Sequence, residues 1–456
     1  MSEGGEVITS GNRGILARRA ESVASATGLR YAPIAVSRGR GAKVFDVEGR
    51  EFIDLLSSAA TANTGHCHPT VVSAILAQAA DLIHYTPVYM HHEPLVALAE
   101  QLIELAPGKF EKRVAFGVSG ADANDRAIKY SRAHTKRPKL VSFLGSYYGT
   151  TYGALSLSAL TLSMRRHLGP TLPEVYHIPY PNCFRCPLQL DYPECEEACW
   201  EVTRQLYFDR VIPPEEVAAV FVEPIQGDAG IVVPPSFFLP ALREFCNQHG
   251  ILLVADEVQT GFGRTGRWFG VEHWDIAPDV MVVGKAIASG VPLSALVARR
   301  EILEALSASG ADLQTFAANP IACQAALATI AVLKDEELVA RSERLGRHAK
   351  DRFSDMKRKH ELIGDVRGKG LCIGVDLVQD RCTRRPAAKE ALKVCWFCYT
   401  HGVLLTTLNQ SVLRFQPPLV IEEDDLDLAL DVIEAAIADI SAGKIPDSAI
   451  QDFTGW

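Results

Sequence analysis

No stretch of this 456-residue chain stays apolar for the ~20 residues that a membrane-crossing helix needs. The opening MSEGGEVITSGNRG is polar and has no apolar segment of the kind a secretory leader carries. Positive charge is in deficit: 46 Lys and Arg stand against 55 Asp and Glu, a formal net charge of −9. That balance argues against nucleic acid or an anionic membrane as a main partner. Internal repeats and low-complexity blocks are also missing. The expectation is a cytoplasmic protein, long enough to bury a large core without staples. Its eleven cysteines are an odd number without a leader, which fits reduced thiols better than a disulfide framework.

Four of those cysteines cluster as Cys183-x2-Cys186 and Cys195-x3-Cys199. Such pairs resemble metal-ligand spacing. The full set follows no standard pattern, however, so a loop of free thiols without metal is the expectation and a structural metal the alternative.

What the chain does contain is a series of short, almost wholly apolar runs: Lys139–Phe143, Ala218–Val222, Ile251–Ala255 and Val280–Val283. Runs without alternation suit strands buried on both faces, as in a parallel sheet. Helical segments such as Pro240–Gln248 lie between them, as crossover helices do. The predicted fold is α/β, a mostly parallel sheet flanked by helices. A smaller α+β lobe is built from both chain ends. In that lobe GAKVFDVEGREFIDLL reads as a hairpin turning at Glu48–Gly49, and GDVRGKGLCIGVDLV as a second strand pair. SVLRFQPPLVI reads as a strand stopped by Pro417–Pro418, and DLALDVIEAAIADI as an amphipathic surface helix. The expected boundaries are 1–64 for the N-terminal part of the small lobe, 65–325 for the large domain and 326–456 for the C-terminal small domain.

Each apolar run is followed by polar residues: Tyr147, then Glu223 with Asp228, then Asp256, then Gly284–Lys285. Ligands of open α/β sheets sit outside the carboxyl ends of the strands. Asp256 ends a buried strand, where a carboxylate is costly unless it meets a cation. A protonated pyridine nitrogen is such a cation, and its protonation makes a pyridoxal ring an electron sink. Taken alone, Asp256 reads first as a turn residue or helix cap. Gln259 is placed to hydrogen-bond the ring's phenolic oxygen. Lys285 can form an imine once partial desolvation lowers its pKa. In RVAFGVSGADANDRAIKYSR, the residues Ser119, Gly120 and Ala121 fall at a helix N-terminus, which attracts phosphate. Tyr147 can stack on a ring. Arg414 can fork onto a substrate carboxylate.

SGADANDRAIKYSR, VEPIQGDAG, VADEVQTGFGRTGR, VVGKAIASGVPLSA and TFAANP together resemble the class III aminotransferases, pyridoxal 5′-phosphate (PLP) enzymes of fold type I, from about residue 30 to the C-terminus. The resemblance implies that Lys285 is the Schiff-base lysine, Asp256 the partner of the pyridine nitrogen, Gln259 a neighbour of the ring oxygen and Tyr147 the stacking aromatic. It implies phosphate binding by Ser119–Gly120–Ala121, helped by Thr315 of the partner subunit. It also implies a homodimer with shared active sites, which could pair further into tetramers, and substrate carboxylate binding by Arg414. Within the family, LIHYTPVYMHH, IDLLSSAATANTGH, VLRFQPPLVI, Asp228 in QGDAG and the terminal Gly-Trp resemble the amino-acid racemases and epimerases, isoleucine 2-epimerase above all. Ala121 lacks a hydroxyl common at the phosphate turn, Tyr148 stands where a histidine is usual, and the cysteine insert is not a feature of the epimerases.

Two reactions share a first half, removal of the Cα proton by Lys285. Racemisation or epimerisation of a nonpolar, branched-chain or similar α-amino acid then returns the proton to the opposite face of Cα. Asp228 is the candidate to support that step, or else it pairs with Arg414 when no substrate is bound. The alternative is transfer of the amino group to a 2-oxo acid.

Overall fold

The computed structural model describes residues 10–29, 31–451 and 453. The first nine residues of the polar opening and the Gly455–Trp456 end therefore lie outside the described residues.

Val36–Arg40 (β1), Lys43–Asp46 (β2) and Glu51–Asp54 (β3) form an antiparallel meander. The β2–β3 hairpin is the expected one, with Gly49 at φ +84 in its turn, a conformation glycine adopts without steric cost. β1 carries no apolar pattern because it is a mostly exposed edge strand, and composition alone does not mark it.

Seven strands follow: β4 (Lys112–Gly117), β5 (Lys139–Phe143), β6 (Val175–Ile178), β7 (Val217–Val222), β8 (Leu252–Asp256), β9 (Val280–Val283) and β10 (Ser294–Arg299). They make one sheet in the order β4-β10-β9-β8-β7-β5-β6. The pairs from β9 through to β6 are parallel, whereas β10 runs antiparallel to both β9 and β4. The four apolar runs read from the sequence are β5, β7, β8 and β9, with ends shifted by one residue at most. Every residue of β7, β8 and β9 is buried, which is why no alternation shows. Residues 284–293 join β9 to β10, too short for the crossover of a dozen or more residues that a parallel return needs. Helix Phe238–His249 is the predicted crossover between β7 and β8, and Gly250 at φ +61 ends it.

The C-terminal part adds β11 (Ile363–Lys369), β12 (Cys372–Asp380), β13 (Arg385–Pro386), β14 (Val403–Leu404), β15 (Thr406–Leu408) and β16 (Val412–Phe415). β14 pairs in parallel with β3, so the two chain ends share one sheet. β11, β12, β16 and β15 form another, with β13 against β12. Helix Glu423–Ser441 buries Leu426, Leu430, Ile433 and Ile437 on one face, as its amphipathic pattern predicts.

Arg264 is the largest fully buried side chain. It donates to Leu371 O (3.0 Å) and Pro417 O (2.5 Å) from one side and to Asn63 Oδ1 (2.5 Å) and Ser57 Oγ (3.3 Å) from the other. One guanidinium thus ties the segment after β8 to both ends of the chain. Among the described residues, no helix is long and apolar enough to cross a membrane.

Candidate active site

Five strands deliver their carboxyl ends to one edge of the sheet. β4 leads into Ser119, which caps helix Gly120–Thr135 by accepting from Asp122 N (3.2 Å). β5 leads to Tyr147, β7 to Glu223 and Asp228, β8 ends at Asp256, and β9 leads to Lys285. Three glycine positions show how closely these turns approach. A Cβ on Gly120 would stand 3.0 Å from Val258 Cγ1, and one on Gly284 would stand 3.4 Å from the same atom. The phosphate-type turn, the Asp256 strand end and the Lys285 strand end therefore meet at Val258. A Cβ on Gly227 would lie 2.4 Å from the Gln259 amide, so the Asp228 turn closes on Gln259.

Asp256 pairs in register with Val282, three residues before Lys285. Its carboxylate accepts from Asn124 Nδ2 (2.7 Å) and from Val258 N (2.9 Å). The turn-capping role open to it from sequence is thus real, but only one oxygen serves it. Burial raises the Asp256 carboxyl to about 6, opposed by those hydrogen bonds and by the charge of Lys285. Burial also lowers the Lys285 amine, and Asp228 is the first charge to oppose that, ahead of Asp256 and Glu223; Arg414 reinforces it. Among the described residues, Lys285 has no hydrogen bond or ion pair, and its backbone sits at φ +45, a strained conformation for a side chain of this kind. Asp228 Oδ1 stands 3.8 Å from Arg414 Nη1. Asp228 therefore stands near Arg414, and its charge acts on Lys285.

The Glu223 carboxylate, buried under the site, accepts from Tyr147 N and Gly227 N, each at 2.9 Å. Burial, then the negative charge of Asp256, pushes it up to about 8 from its ordinary 4.5. Between those two values the folded chain holds more protons on Glu223 than the unfolded chain does. Stability must then fall as pH climbs through that window. Urea unfolding of the cofactor-free protein at pH 5.5 and 8.5 is expected to show the loss, and Glu223→Gln to flatten it.

Thr315 is exposed, and among the described residues no hydrogen bond ties it to the Ser119–Ala121 turn of its own chain. Tyr148, whose polarity the sequence leaves open, turns into the core: it is 2% exposed and donates from its hydroxyl to Phe221 O (2.9 Å). Cys183, Cys186, Cys195 and Cys199 line one pocket and are free thiols. Burial and the neighbouring thiols push Cys183 up to about 11. Among the described residues, no three His, Cys, Asp or Glu side chains stand where they could hold a metal ion.

Several residues of the site go unnoticed in the sequence reading. Asn124 holds Asp256 and also donates to Gly120 O and Tyr148 O, 3.1 Å each. Its place on the buried face of a helix four residues after Gly120 was the available signal. Tyr31, from the N-terminal segment, feels the charges of Arg414 and Asp228, and burial raises its pKa. Gln416 bridges Arg414 and Gln259. It lies two residues from Arg414, just past the end of β16, the one hint the sequence offers.

The family described as Aminotransferase class-III matches residues 24–437. The chain is 47% identical to the leucine/methionine racemase of Thermococcus litoralis, over 97% of this chain and 99% of that one. It is 43% identical to the isoleucine 2-epimerase of Lentilactobacillus buchneri, over 94% and 95%. Among solved structures, an amine transaminase from an uncultivated Pseudomonas species in its PLP-bound internal aldimine form superposes with a TM-score of 0.83 at 30% identity, covering 91% of this chain and 97% of that one. The parallel sheet with one reversed strand and the polar edge at its carboxyl end define a fold type I PLP enzyme. The chain belongs to the class III aminotransferase family, and its cofactor is pyridoxal 5′-phosphate.

The residues at the edge fit that group. Asp256 is a buried carboxylate in need of a cation. Arg414 Nη2 and Asn124 Oδ1 are buried without a partner. Gly120 and Gly227 let their turns approach Val258 and Gln259 more closely than a side chain would allow.

Proposed function

We propose that this enzyme racemises or epimerises a nonpolar α-amino acid at Cα, branched-chain substrates included. The observation that carries the reading is Asp228, a carboxylate 3.8 Å from Arg414 whose charge is the first to oppose the lowering of the Lys285 amine. The near full-length likeness to a leucine/methionine racemase and an isoleucine 2-epimerase supports it.

Lys285 would hold the cofactor, Asp256 its ring nitrogen, Gln259 its ring oxygen and Tyr147 its face. Ser119, Gly120 and Ala121 would hold its phosphate with Thr315 of the partner subunit. When bound, PLP supplies an electron sink that makes the Cα proton acidic. Arg414 fixes the substrate carboxylate through its two outer nitrogens. Lys285, its amine lowered by burial, would take the Cα proton on one face. Asp228 supports return of a proton from the other.

On this reading the enzyme is a cytoplasmic homodimer, with residues 65–325 as its cofactor domain and 1–64 and 326–456 as its small lobe. Exposed Ile83 (66%), Tyr89 (78%), Met90 (61%), Leu313 (67%) and Phe316 (65%) support a covered face next to Thr315.

The second reading, amino transfer to a 2-oxo acid, is favoured by the Asp228–Arg414 contact, which neutralises the arginine until a substrate carboxylate displaces the aspartate. Incubation of L-leucine or L-isoleucine in D2O without any oxo acid separates the two. Loss of the starting configuration with deuterium at Cα is expected, whereas turnover only after an oxo acid is added selects the transaminase. Asp228→Asn is expected to slow inversion by ~10²-fold or more, the share of one acid–base group. Exchange of the Cα proton with retention should survive in that variant.

A further inference from the structure

Gln416 is fully buried, and its amide lies between two site residues that do not touch each other directly. Its Oε1 accepts from Arg414 Nε at 2.5 Å. Its Nε2 donates to Gln259 Oε1 at 3.2 Å and to Cys372 Sγ at 3.0 Å. Arginine has no acceptor, so the carbonyl end of Gln416 must face Arg414 and the NH₂ end must face Gln259. Gln259 can meet an NH₂ group only with its own carbonyl. Its Nε2 then points away from Gln416, and among the described residues it has no hydrogen bond. The same contact occupies Arg414 Nε and leaves Nη1 facing Asp228 and Nη2 buried with no partner. The backbone of Gln416 is held as well, donating to Leu55 O at 2.9 Å.

We propose that Gln416 is a positioning residue with two outputs: it sets Gln259 as a hydrogen-bond donor toward the cofactor ring, and it turns the outer nitrogens of Arg414 toward the substrate carboxylate. This rests on the reading of Gln259 and Arg414 given above. One buried amide thereby links substrate recognition to the protonation of the cofactor. Gln416→Glu and Gln416→Met separate the two outputs. The carboxylate of the first still accepts from Arg414, but Gln259 must turn its NH₂ group toward it and offer an oxygen to the ring. The second removes both contacts at nearly constant volume.

The test uses purified holoenzyme whose cofactor content and thermal unfolding have been checked. For Gln416→Glu, the pH midpoint of the bound cofactor's visible absorbance is expected to rise by about one unit, the weight of one lost hydrogen bond to a charged group. Affinity for 4-methylpentanoate, which has the carboxylate but no amine, should stay within about threefold. For Gln416→Met, the midpoint should rise similarly, 4-methylpentanoate should bind about tenfold more weakly, and KM should increase more than kcat falls. Should either variant fail to load cofactor, Gln416→Asn keeps the amide on a shorter arm and is expected to shift the midpoint the same way. On a Gln259→Leu background the Gln416→Glu shift should vanish, since the effect travels through Gln259. A Gln416 series that leaves both the midpoint and carboxylate binding at wild-type values overturns the proposal. A midpoint that ignores Gln259→Leu itself overturns instead the placement of Gln259 beside the ring.

Discussion

Lys285→Ala is expected to lower turnover by ~10⁴-fold and to leave the cofactor bound without a covalent link. The size follows from the number of roles that one amine fills. On the proposed reading it anchors the cofactor at the end of β9 and also serves as the base at Cα. No neighbour can replace it: Asp228, Asp256 and Glu223 are carboxylates held by their own partners, and Arg414 is always protonated. The lowered pKa of Lys285, caused by burial, prepares it for both roles, because only a neutral amine attacks a carbonyl or takes a proton. Borohydride reduction of the holoenzyme should leave the cofactor on the tryptic peptide that contains Lys285, and the alanine variant should yield no such peptide. Turnover at the normal rate in that variant would remove the basis of the whole assignment.

The second large effect is expected at Asp256. Asp256→Asn keeps the shape and the contact with Val258 N but loses the charge, and it sets an NH₂ group against Asn124 Nδ2. On the proposed placement of Asp256 at the ring nitrogen, loss of the carboxylate removes its buried counter-charge, and turnover should fall by ~10²–10³-fold, as when one preorganised electrostatic partner is lost. The pH dependence gives an independent readout. Burial holds the free Asp256 carboxyl at about 6, and binding of a cation requires its ionised form. Cofactor affinity should therefore weaken as pH falls through about 6, since more of the carboxyl is then protonated. The asparagine variant cannot titrate there and should lack that component. Equilibrium binding of PLP to the two cofactor-free proteins between pH 5 and 8 measures the difference.

The residues that carry these effects are legible because they obey local rules. Asp256 and Glu223 directly follow, and Lys285 follows after Gly284, a short run of Val, Ile, Leu, Ala, Met or Phe, and such a run with a polar residue at its end has few other uses in an α/β protein. The residues that orient them are not legible in this way. Asn124 is one polar side chain among several on its helix, and only its 2.7 Å contact with Asp256, 132 residues away, shows its task. Gln416 directly follows a strand read for its arginine. Tyr148 looks like a substitution beside the cofactor until its hydroxyl is found on Phe221 O in the core. The four clustered cysteines illustrate the opposite case: their spacing invites a metal, but their side chains share a pocket without taking up ligand positions among the described residues.

Composition, periodicity and motif order by themselves determined the fold class, the apolar strands β5, β7, β8 and β9 of the central sheet, and which polar residues follow them. These depend on burial and on spacing along one chain, which a linear text records. Tertiary structure alone decided that β10 runs backwards, that Arg264 binds both chain ends to the segment after β8, that Asp228 meets Arg414, and which end of the Gln416 amide faces Gln259. Each of these is a contact between residues far apart in the chain, and the orientation of a buried hydrogen bond is set by the partner that packing brings to it.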